Sequence, residues 1–413
     1  MSARVTLKKA PSPLQIWLER FNNPRYFWLT RPLVAFLMTR LIVLLGAYIA
    51  EIAIPGMVSE GYYHVSPNNI LLDVWARWDS AFYLSIVERG YFFEVGQQSS
   101  VAFFPLYPLL MSWVMPFVGS ALAAGVLVSN ACLLGALIFL YRLSELEFHD
   151  HAVAGRTVFY IAAFPTAFFF TAVYTESTFL LFSVATMYFA RTRQWAWAAV
   201  FGILCSASRI VGFLMTGIVA LEWMRAQGWS FGRIHHRETW LKLLKGLRHD
   251  WLSVLTIALI PLGMFSYMLF LKVQFNDPIA FSTTQSAWGR QMLGPITIIA
   301  RDLAGLAGGD FLTGRIWFHL IFDLGAFFAV LAMTFSVGHT LGASYAVYCL
   351  MSVLIPASSG SQSLIRYALV IFPVFMLLGV WGKRVWLDRA LLIFFSVFLG
   401  IFTAIFVNWI FIA

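Results

Sequence analysis

Long apolar runs alternate with short polar segments along most of this chain. About 20 apolar residues cross a bilayer as a helix, because every backbone amide must be hydrogen-bonded internally in lipid. The runs are too long and continuous for the short alternating strands of a membrane β-barrel. The pattern predicts an all-α polytopic membrane protein with about eleven transmembrane helices. They are expected at about 32–50, 120–141, 157–173, 177–190, 195–224 (two crossings), 251–271, 316–335, 340–357, 364–381 and 388–410.

The apolar stretch 195–224 leaves two alternatives open, because it is too long for one comfortable span. A single crossing would place the basic loop Arg225–Arg248 outside the cell or in the lumen. Two short helices that meet near Ser208 and Arg209 would keep this loop inside. Two helices are favoured, because cytoplasmic loops carry an excess of Lys and Arg.

Composition and charge support the same class of protein. The chain has 413 residues, of which 60% are hydrophobic and 11% charged, whereas an average soluble domain has about 25% charged residues. The formal charge of +9 lies mostly in short loops rather than in one basic patch, so membrane lipids and no nucleic acid are predicted as partners. The same bias predicts a cytoplasmic segment 1–31, a first extracytoplasmic loop 51–118 and an extracytoplasmic C-terminus within one domain, 1–413.

Cysteine and histidine residues show no spacing typical of a zinc site. Cys132, Cys205 and Cys349 all lie in apolar runs, where they are expected as small core residues. No cofactor and no metal site are predicted, although a divalent ion is compatible with the acidic residues.

The segment Trp75–Tyr91 is a polar and aromatic insertion in this apolar chain, and Asp73, Asp79 and Glu88 lie in or beside it. Asp79 has two interpretations that can coexist. It is a typical N-cap for a short helix that would end at Gly90. It is also a candidate catalytic base at a membrane face.

Two further segments are predicted to lie along the outer membrane interface. Residues 102–117 form an apolar run that prolines interrupt, and residues 291–312 are amphipathic.

Polar residues from distant segments converge on the outer side in this topology. Carboxylates can accept a proton from a hydroxyl nucleophile, and arginine binds phosphate with a planar fork of donors. Together they predict a site for a lipid-linked sugar. The converging residues are Asp73, Asp79, Glu88, Glu176, Arg209, Gln285, Trp288, Arg290 and Arg366.

Simpler interpretations exist for several of these side chains. Arg366 begins a span and could extend towards lipid headgroups instead of binding phosphate. Glu176 could complement the dipole of its own helix. Trp288 could be an interfacial anchor rather than a platform for a sugar ring. Arg209 lies at the break between two short helices, where a functional role is favoured.

Several motifs occur in one order between about residues 75 and 375: RWDSAFYLSIVERGY, AFFPLYP, YTES, SRIVG, NDPIAF with SAWGR, and RYALVIFP. This order resembles the PIG-V family of mannosyltransferases, membrane glycosyltransferases of the GT-C group. The resemblance implies a polyprenyl- or dolichyl-phosphate mannose donor, a lipid or glycan acceptor and inversion at C1 of the sugar.

The resemblance also implies roles for individual residues. Asp79 is the expected base, and Arg366 is the expected ligand of the donor phosphate. The other predicted substrate-binding residues are Asp73, Glu88, Glu176, Arg209, Gln285, Trp288, Arg290 and Tyr367. The expected location is the inner membrane of a bacterium or, for a eukaryotic member, the endoplasmic reticulum membrane, with the site on the extracytoplasmic face.

Two rivals belong to other classes. A lipid or solute transporter would be expected to show paired interrupted helices in two related halves. A scaffold that anchors partners would need no cluster of carboxylates and arginines.

Overall fold

The computed structural model describes residues 23–54, 64–230, 232, 234–307, 319–410 and 412, and these contain no β-strand. Its first ten α-helices are α1 Phe27–Ala53, α2 Ile70–Asp73, α3 Ser80–Arg89, α4 Leu106–Val118, α5 Ala121–Phe148, α6 His151–Ala163, α7 Glu176–Arg191, α8 Trp195–Ser206, α9 Met215–Ala226 and α10 Arg237–His249. The others are α11 Trp251–Ala258, α12 Leu262–Phe275, α13 Ala280–Thr283, α14 Pro295–Ala307, α15 Gly325–Thr340, α16 Ala343–Ala357, α17 Leu364–Ala368, α18 Phe372–Trp381 and α19 Val385–Val407.

The predicted all-α membrane fold is confirmed. Five helical segments of the described chain are long and apolar enough to cross a bilayer, and α4, α8, α16 and α18 are shorter apolar helices. The predicted number of eleven spans stays a prediction. The sidedness of the loops and the cytoplasmic segment 1–31 also stay predictions. Three parts of the predicted segments lie outside the described chain: residues 1–22 of the cytoplasmic segment, 55–63 of the first loop and 308–312 of the amphipathic segment. The five long segments are Pro24–Ala53, Ala121–Phe148, Trp251–Phe275, Ile321–Thr340 and Val385–Val407.

Helix α7 lies at the centre of the bundle, and most of its residues are buried. It packs between α5 and α8, and α9 also contacts it. Elsewhere in the bundle, α1 pairs with α19 and α6 with α18. The first residue of α7, Glu176, is therefore buried among other helices, and its last, Arg191, is partly buried.

The stretch 195–224 forms two helices, as predicted. Helix α8 ends at Ser206, and Arg209 is extended before a 3₁₀ turn, Ile210–Leu214, leads into α9. A Cβ atom at Gly212 would lie 2.1 Å from the carbonyl oxygen of Cys205, so only glycine allows the chain to fold back on the end of α8.

Three predicted spans contain a break in the helix, although Trp251–Phe275 is still long and apolar enough to cross a bilayer. The span 157–173 stops at Ala163, because Pro165 holds the residue before it in an extended conformation. The span 251–271 breaks at 259–261, where Pro261 lacks an amide hydrogen. The span 364–381 breaks at 369–371, ahead of Pro373 near the start of α18. The break near Arg209 is therefore one of several.

Candidate functional site

A cavity of about 950 Å³ opens at the end of the bundle where α7 begins. Its wall combines aromatic and apolar side chains with a small number of charged and polar groups, which is typical of a ligand site. The polar and charged lining residues include Asp79, Gln98, Thr175, Ser208, Arg209, Gln285, Arg290, Gln362, Ser363 and Arg366.

Asp79 lies at the N-cap position of α3, and Gly90 ends this helix with φ +85°, as predicted. The Asp79 side chain makes no capping hydrogen bond. Its Oδ2 instead accepts a hydrogen bond from Nη1 of Arg366 at 3.2 Å, and 29% of the side chain is exposed. The N-cap interpretation therefore explains the position of Asp79 but not the partner of its carboxylate.

Glu176 also differs from a simple helix cap. It is the first residue of α7 and has no accessible surface. Its Oε1 accepts a hydrogen bond from Nη2 of Arg209 at 2.6 Å and lies 3.5 Å from Nε of Arg366. Its Oε2 is buried and accepts no hydrogen bond from the described residues. One carboxylate thus links two arginines that come from α17 and from the break before α9.

Arg366 is buried and does not extend towards lipid headgroups. Only 7% of its side chain is exposed, and its guanidinium carbon lies 5.4 to 5.6 Å from the ring centres of Phe169, Tyr174 and Tyr367. Two carboxylates and three rings therefore fix the guanidinium at the cavity wall, where its planar donors face the site.

Two residues of the cavity wall adopt left-handed backbone conformations that L-residues rarely adopt. Trp78, directly before Asp79, has φ +55°, and Ser363, at the N-cap of the short helix that carries Arg366, has φ +71°. Such conformations each cost about 1 to 3 kcal/mol and cluster at functional sites. The strain therefore lies next to the two groups that form the Asp79–Arg366 pair.

The backbone around Asp79 is held by Tyr174 and Arg77. The Tyr174 hydroxyl accepts a hydrogen bond from the Asp79 amide at 3.2 Å and donates one to the Arg77 carbonyl at 3.1 Å. The fully buried Arg77 side chain donates to the carbonyl of Val407 at the end of α19 and lies 4.9 Å from the ring of Trp409. The C-terminal end of α19 is thus tied to the segment that carries Asp79.

The cavity wall also contains three more of the predicted residues. Nη1 of Arg290 donates to Oε1 of Gln285 at 3.0 Å. The ring of Trp288 lies 5.8 Å from Phe82 and 6.3 Å from Phe103, so it packs in an aromatic cluster that faces the cavity. Both an anchor and a sugar platform fit this position.

Asp73 and Glu88 do not line the cavity. Glu88 is exposed near the end of α3. Asp73 ends α2 and pairs with Arg77 at 3.0 Å and with His64 at 2.6 Å. Burial alone would raise the pKa of the Asp73 carboxyl, but the Ser66 amide, His64 and Arg77 lower it overall. The resulting stabilisation is present at neutral pH and is lost in strong acid, as the pH falls through the folded pKa.

The cavity thus brings together Asp79, Arg209, Gln285, Trp288, Arg290, Arg366 and Tyr367, with Glu176 directly behind its wall. Sequence reasoning missed Trp78, Tyr174 and Ser363. YTES contains Tyr174, but only the fold shows that this hydroxyl bridges two backbone groups 97 and 95 residues away. The roles of all these residues stay predictions.

Within the described chain, no group of three or more His, Cys, Asp or Glu side chains is arranged to hold a metal ion. The expectation of a metal-free site stays a prediction.

Comparison with known proteins gives the family. The model of the family described as mannosyltransferase (PIG-V) matches residues 24–288, which include Asp79, Glu176 and Arg209. This chain belongs to the PIG-V mannosyltransferase family. Membership confirms the predicted resemblance, and the long apolar helices support an integral membrane protein.

Two relatives of this PIG-V family member are similar to it over part of their length. GPI mannosyltransferase 2 of Yarrowia lipolytica is 31% identical over 180 residues, 40% of this chain and 47% of the relative. GPI alpha-1,6-mannosyltransferase 2 of Cricetulus griseus is 31% identical over 213 residues, 48% of this chain and 40% of the relative. The chain therefore matches less than half the length of these relatives.

A solved structure of the archaeal oligosaccharyltransferase AglB from Archaeoglobus fulgidus, in complex with an inhibitory peptide and a dolichol-phosphate, is also similar. It is 14% identical, with a TM-score of 0.44, over 94% of this chain and 55% of that one.

Proposed function

We propose that this PIG-V family member transfers mannose from a polyprenyl- or dolichyl-phosphate donor to a hydroxyl group of a lipid-linked or glycan acceptor. The reaction takes place at the extracytoplasmic face and inverts the configuration at C1 of the sugar. The family supports the sugar and the class of reaction. The charge pattern of the loops supports the face.

The observation that carries this proposal is the Asp79–Arg366 pair in the cavity wall. Oδ2 of Asp79 and Nη1 of Arg366 are 3.2 Å apart, so a proton acceptor and a phosphate ligand lie side by side. In a glycosyl transfer from a phosphate, the proton acceptor and the phosphate ligand act on the same sugar, so both must be within reach of one sugar ring.

In the proposed step, the acceptor oxygen forms a bond to C1 while the bond from C1 to the phosphate oxygen breaks. The proton of the acceptor hydroxyl moves to the carboxylate of Asp79, and the electron pair of the broken bond stays on the leaving polyprenyl phosphate. Arg366 and Arg209 stabilise the charge that develops on this phosphate. A single displacement of this kind inverts C1.

Glu176 sets the geometry of both arginines in this scheme. Its Oε1 lies 2.6 Å from Arg209 and 3.5 Å from Arg366, so the two guanidinium groups are held in place before the donor enters. Such preorganisation lowers the cost of reorganisation during the reaction.

The test is product formation by the purified protein. It is incubated with polyprenyl-phosphate mannose and a panel of lipid and glycan acceptors, and products are identified by mass spectrometry. A hexose added to one acceptor, with equimolar polyprenyl phosphate released, is the expected result. The interrupted helices also fit a transporter, and movement of the donor across vesicles with no product from any acceptor would favour that function instead.

A further inference from the structure

Helix α10 presents three chemically different faces. Its first face packs on the protein, because Thr239, Leu243 and Gly246 are buried. A Cβ atom at Gly246 would lie 2.9 Å from the side chain of Gln227, so α10 lies close against the segment that follows α9. Trp223 of α9 also donates a hydrogen bond to Asp250, just after α10, at 2.9 Å.

The second face of α10 is apolar and uncovered. Trp240, Leu244 and Leu247 are spaced three or four residues apart and are 44%, 61% and 41% exposed. The chain then continues into Trp251–Phe275, a segment long and apolar enough to span a membrane, whose first turns expose Trp251 and Leu252. The apolar face of α10 therefore leads directly into a helix suited to lipid.

The third face of α10 is basic. Lys242, Lys245 and Arg248 are exposed and form no ion pair with another described residue. Lys242, Lys245 and His249 also line a shallow cavity of about 310 Å³ together with Gln227. A concave surface with unpaired cations suits an anionic group.

We propose that α10 is an interfacial helix that binds the headgroups of anionic phospholipids. Trp240, Leu244 and Leu247 insert into the acyl boundary, and Lys242, Lys245 and Arg248 contact lipid phosphates. The helix lies at the end of the molecule opposite the cavity, beside the C-terminal end of α9. The loop charges predict this end to be cytoplasmic, where the leaflet carries anionic lipids.

The adjacent basic and apolar faces favour a membrane over a soluble partner. A soluble acidic partner would need only the cations, and a solvated surface helix would not expose three large apolar side chains at helical spacing. The length of α10, 13 residues, is too short to cross the bilayer but sufficient to lie in its interface.

Lipid preference tests the basic face. The full-length protein in detergent is titrated with phosphatidylglycerol or phosphatidylcholine, and bound lipid is counted by native mass spectrometry. Wild type is expected to prefer phosphatidylglycerol. The triple variant Lys242→Gln, Lys245→Gln, Arg248→Gln is expected to lose at least tenfold of this preference, since each surface charge contributes about fivefold.

A matched control removes three exposed positive charges elsewhere: Arg89→Gln, Lys272→Gln and Arg301→Gln. It is expected to keep the preference of the wild type. No preference in wild type, an unchanged preference in the α10 variant or an equal loss in the control would overturn the proposal.

Depth measurements test the apolar face without relying on those variants. The three native cysteines are buried, so a spin label can be attached selectively at Leu244→Cys or Lys242→Cys in vesicles of phosphatidylcholine and phosphatidylglycerol. Residue 244 is expected to be relaxed mainly by oxygen and residue 242 mainly by a water-soluble nickel chelate. Equal relaxation of both labels by the chelate would mean that α10 is solvated rather than embedded in the membrane, and the proposal would be wrong.

Discussion

The two ends of α7 each carry a cluster of buried charges, but the clusters differ in how well their members are paired. At the C-terminal end, Arg191 binds both oxygens of Glu147 at 2.5 and 2.6 Å and also contacts Glu222. Glu222 further accepts hydrogen bonds from Arg225 and Ser344. Every carboxylate oxygen of this cluster has a partner, and we call it the sealed cluster. Its members are Glu147, Arg191, Glu222, Arg225 and Ser344.

At the N-terminal end of α7, the pairing is incomplete. Oε2 of Glu176 is buried without a hydrogen bond to the described residues, and the contacts of Arg366 with its two carboxylates are 3.2 and 3.5 Å long. Unpaired buried polar groups are costly, and a role at a functional site is one reason why proteins retain them. The sealed cluster therefore fastens four helices together, whereas the incomplete pairing at the cavity fits the proposed role in binding a substrate.

The largest expected effect comes from the carboxylate that faces the cavity. Asp79→Asn should lower kcat by about 10² to 10⁴-fold, because the amide cannot accept the proton of the acceptor. The melting temperature should stay close to that of the wild type, because Asp79 is partly exposed. Initial rates with polyprenyl-phosphate mannose measure the first quantity, and thermal unfolding in detergent measures the second.

Glu88→Gln is the matched control for this variant, because Glu88 lies on the same helix but outside the cavity. It should keep the kcat of the wild type. Full activity of Asp79→Asn, or equal losses in both variants, would remove the distinction between the two ends of α7.

The sealed cluster should respond in the opposite way. Arg191→Met leaves Glu147 and Glu222 buried with fewer partners, and this should lower the free energy of unfolding by about 3 to 5 kcal/mol. The kcat of the protein that stays folded should not change. Arg193→Met, two residues away and exposed, is the control and should have a melting temperature near that of the wild type. If Arg191→Met lowered kcat and left stability unchanged, the catalytic site would lie at the C-terminal end of α7, and the proposed site would be wrong.

Arg209 should have a smaller effect, because Arg366 still pairs with Glu176 when Arg209 is replaced. Arg209→Met should raise KM for the donor about tenfold, the equivalent of one charge-assisted hydrogen bond to phosphate. Arg209→Lys should recover part of this loss, since it keeps the charge. Donor titrations check both values, and an unchanged KM in Arg209→Met would show that this arginine does not contact the donor.

The smallest predicted effect concerns Ser363, whose buried hydroxyl has no partner among the described residues. Ser363→Gly removes the hydroxyl and suits the left-handed backbone at this position. KM for donor or acceptor should rise about fivefold, as for one lost hydrogen bond, while the melting temperature stays equal or rises. A fall in melting temperature without a change in KM would make this hydroxyl structural.

Sequence reasoning found the charged members of the site because charge is rare in an apolar chain. Asp79, Glu176, Arg209 and Arg366 are each conspicuous for this reason, and the positive-inside bias was sufficient to bring them to one end. The family motifs then agreed with this grouping.

The other features of the site depend on tertiary contacts, which no local sequence pattern contains. Asp73 resembled Asp79 in sequence, yet it binds Arg77 and supports the segment instead of lining the cavity. Tyr174 and Trp78 carry no charge, and their importance comes from a hydroxyl bridge and a strained backbone that only tertiary packing creates. Helix breaks at 259–261 and 369–371 were missed because hydropathy averages over the single prolines that cause them.

In the proposed function, one cavity holds the donor beside Asp79 and Arg366. An electron cryo-microscopy map of the protein with bound polyprenyl-phosphate mannose and an antibody fragment tests it most directly. We expect the donor phosphate within hydrogen-bond distance of Arg366 and the mannose C1 beside the Asp79 carboxylate. A phosphate bound elsewhere, with the cavity around Asp79 empty, would contradict it.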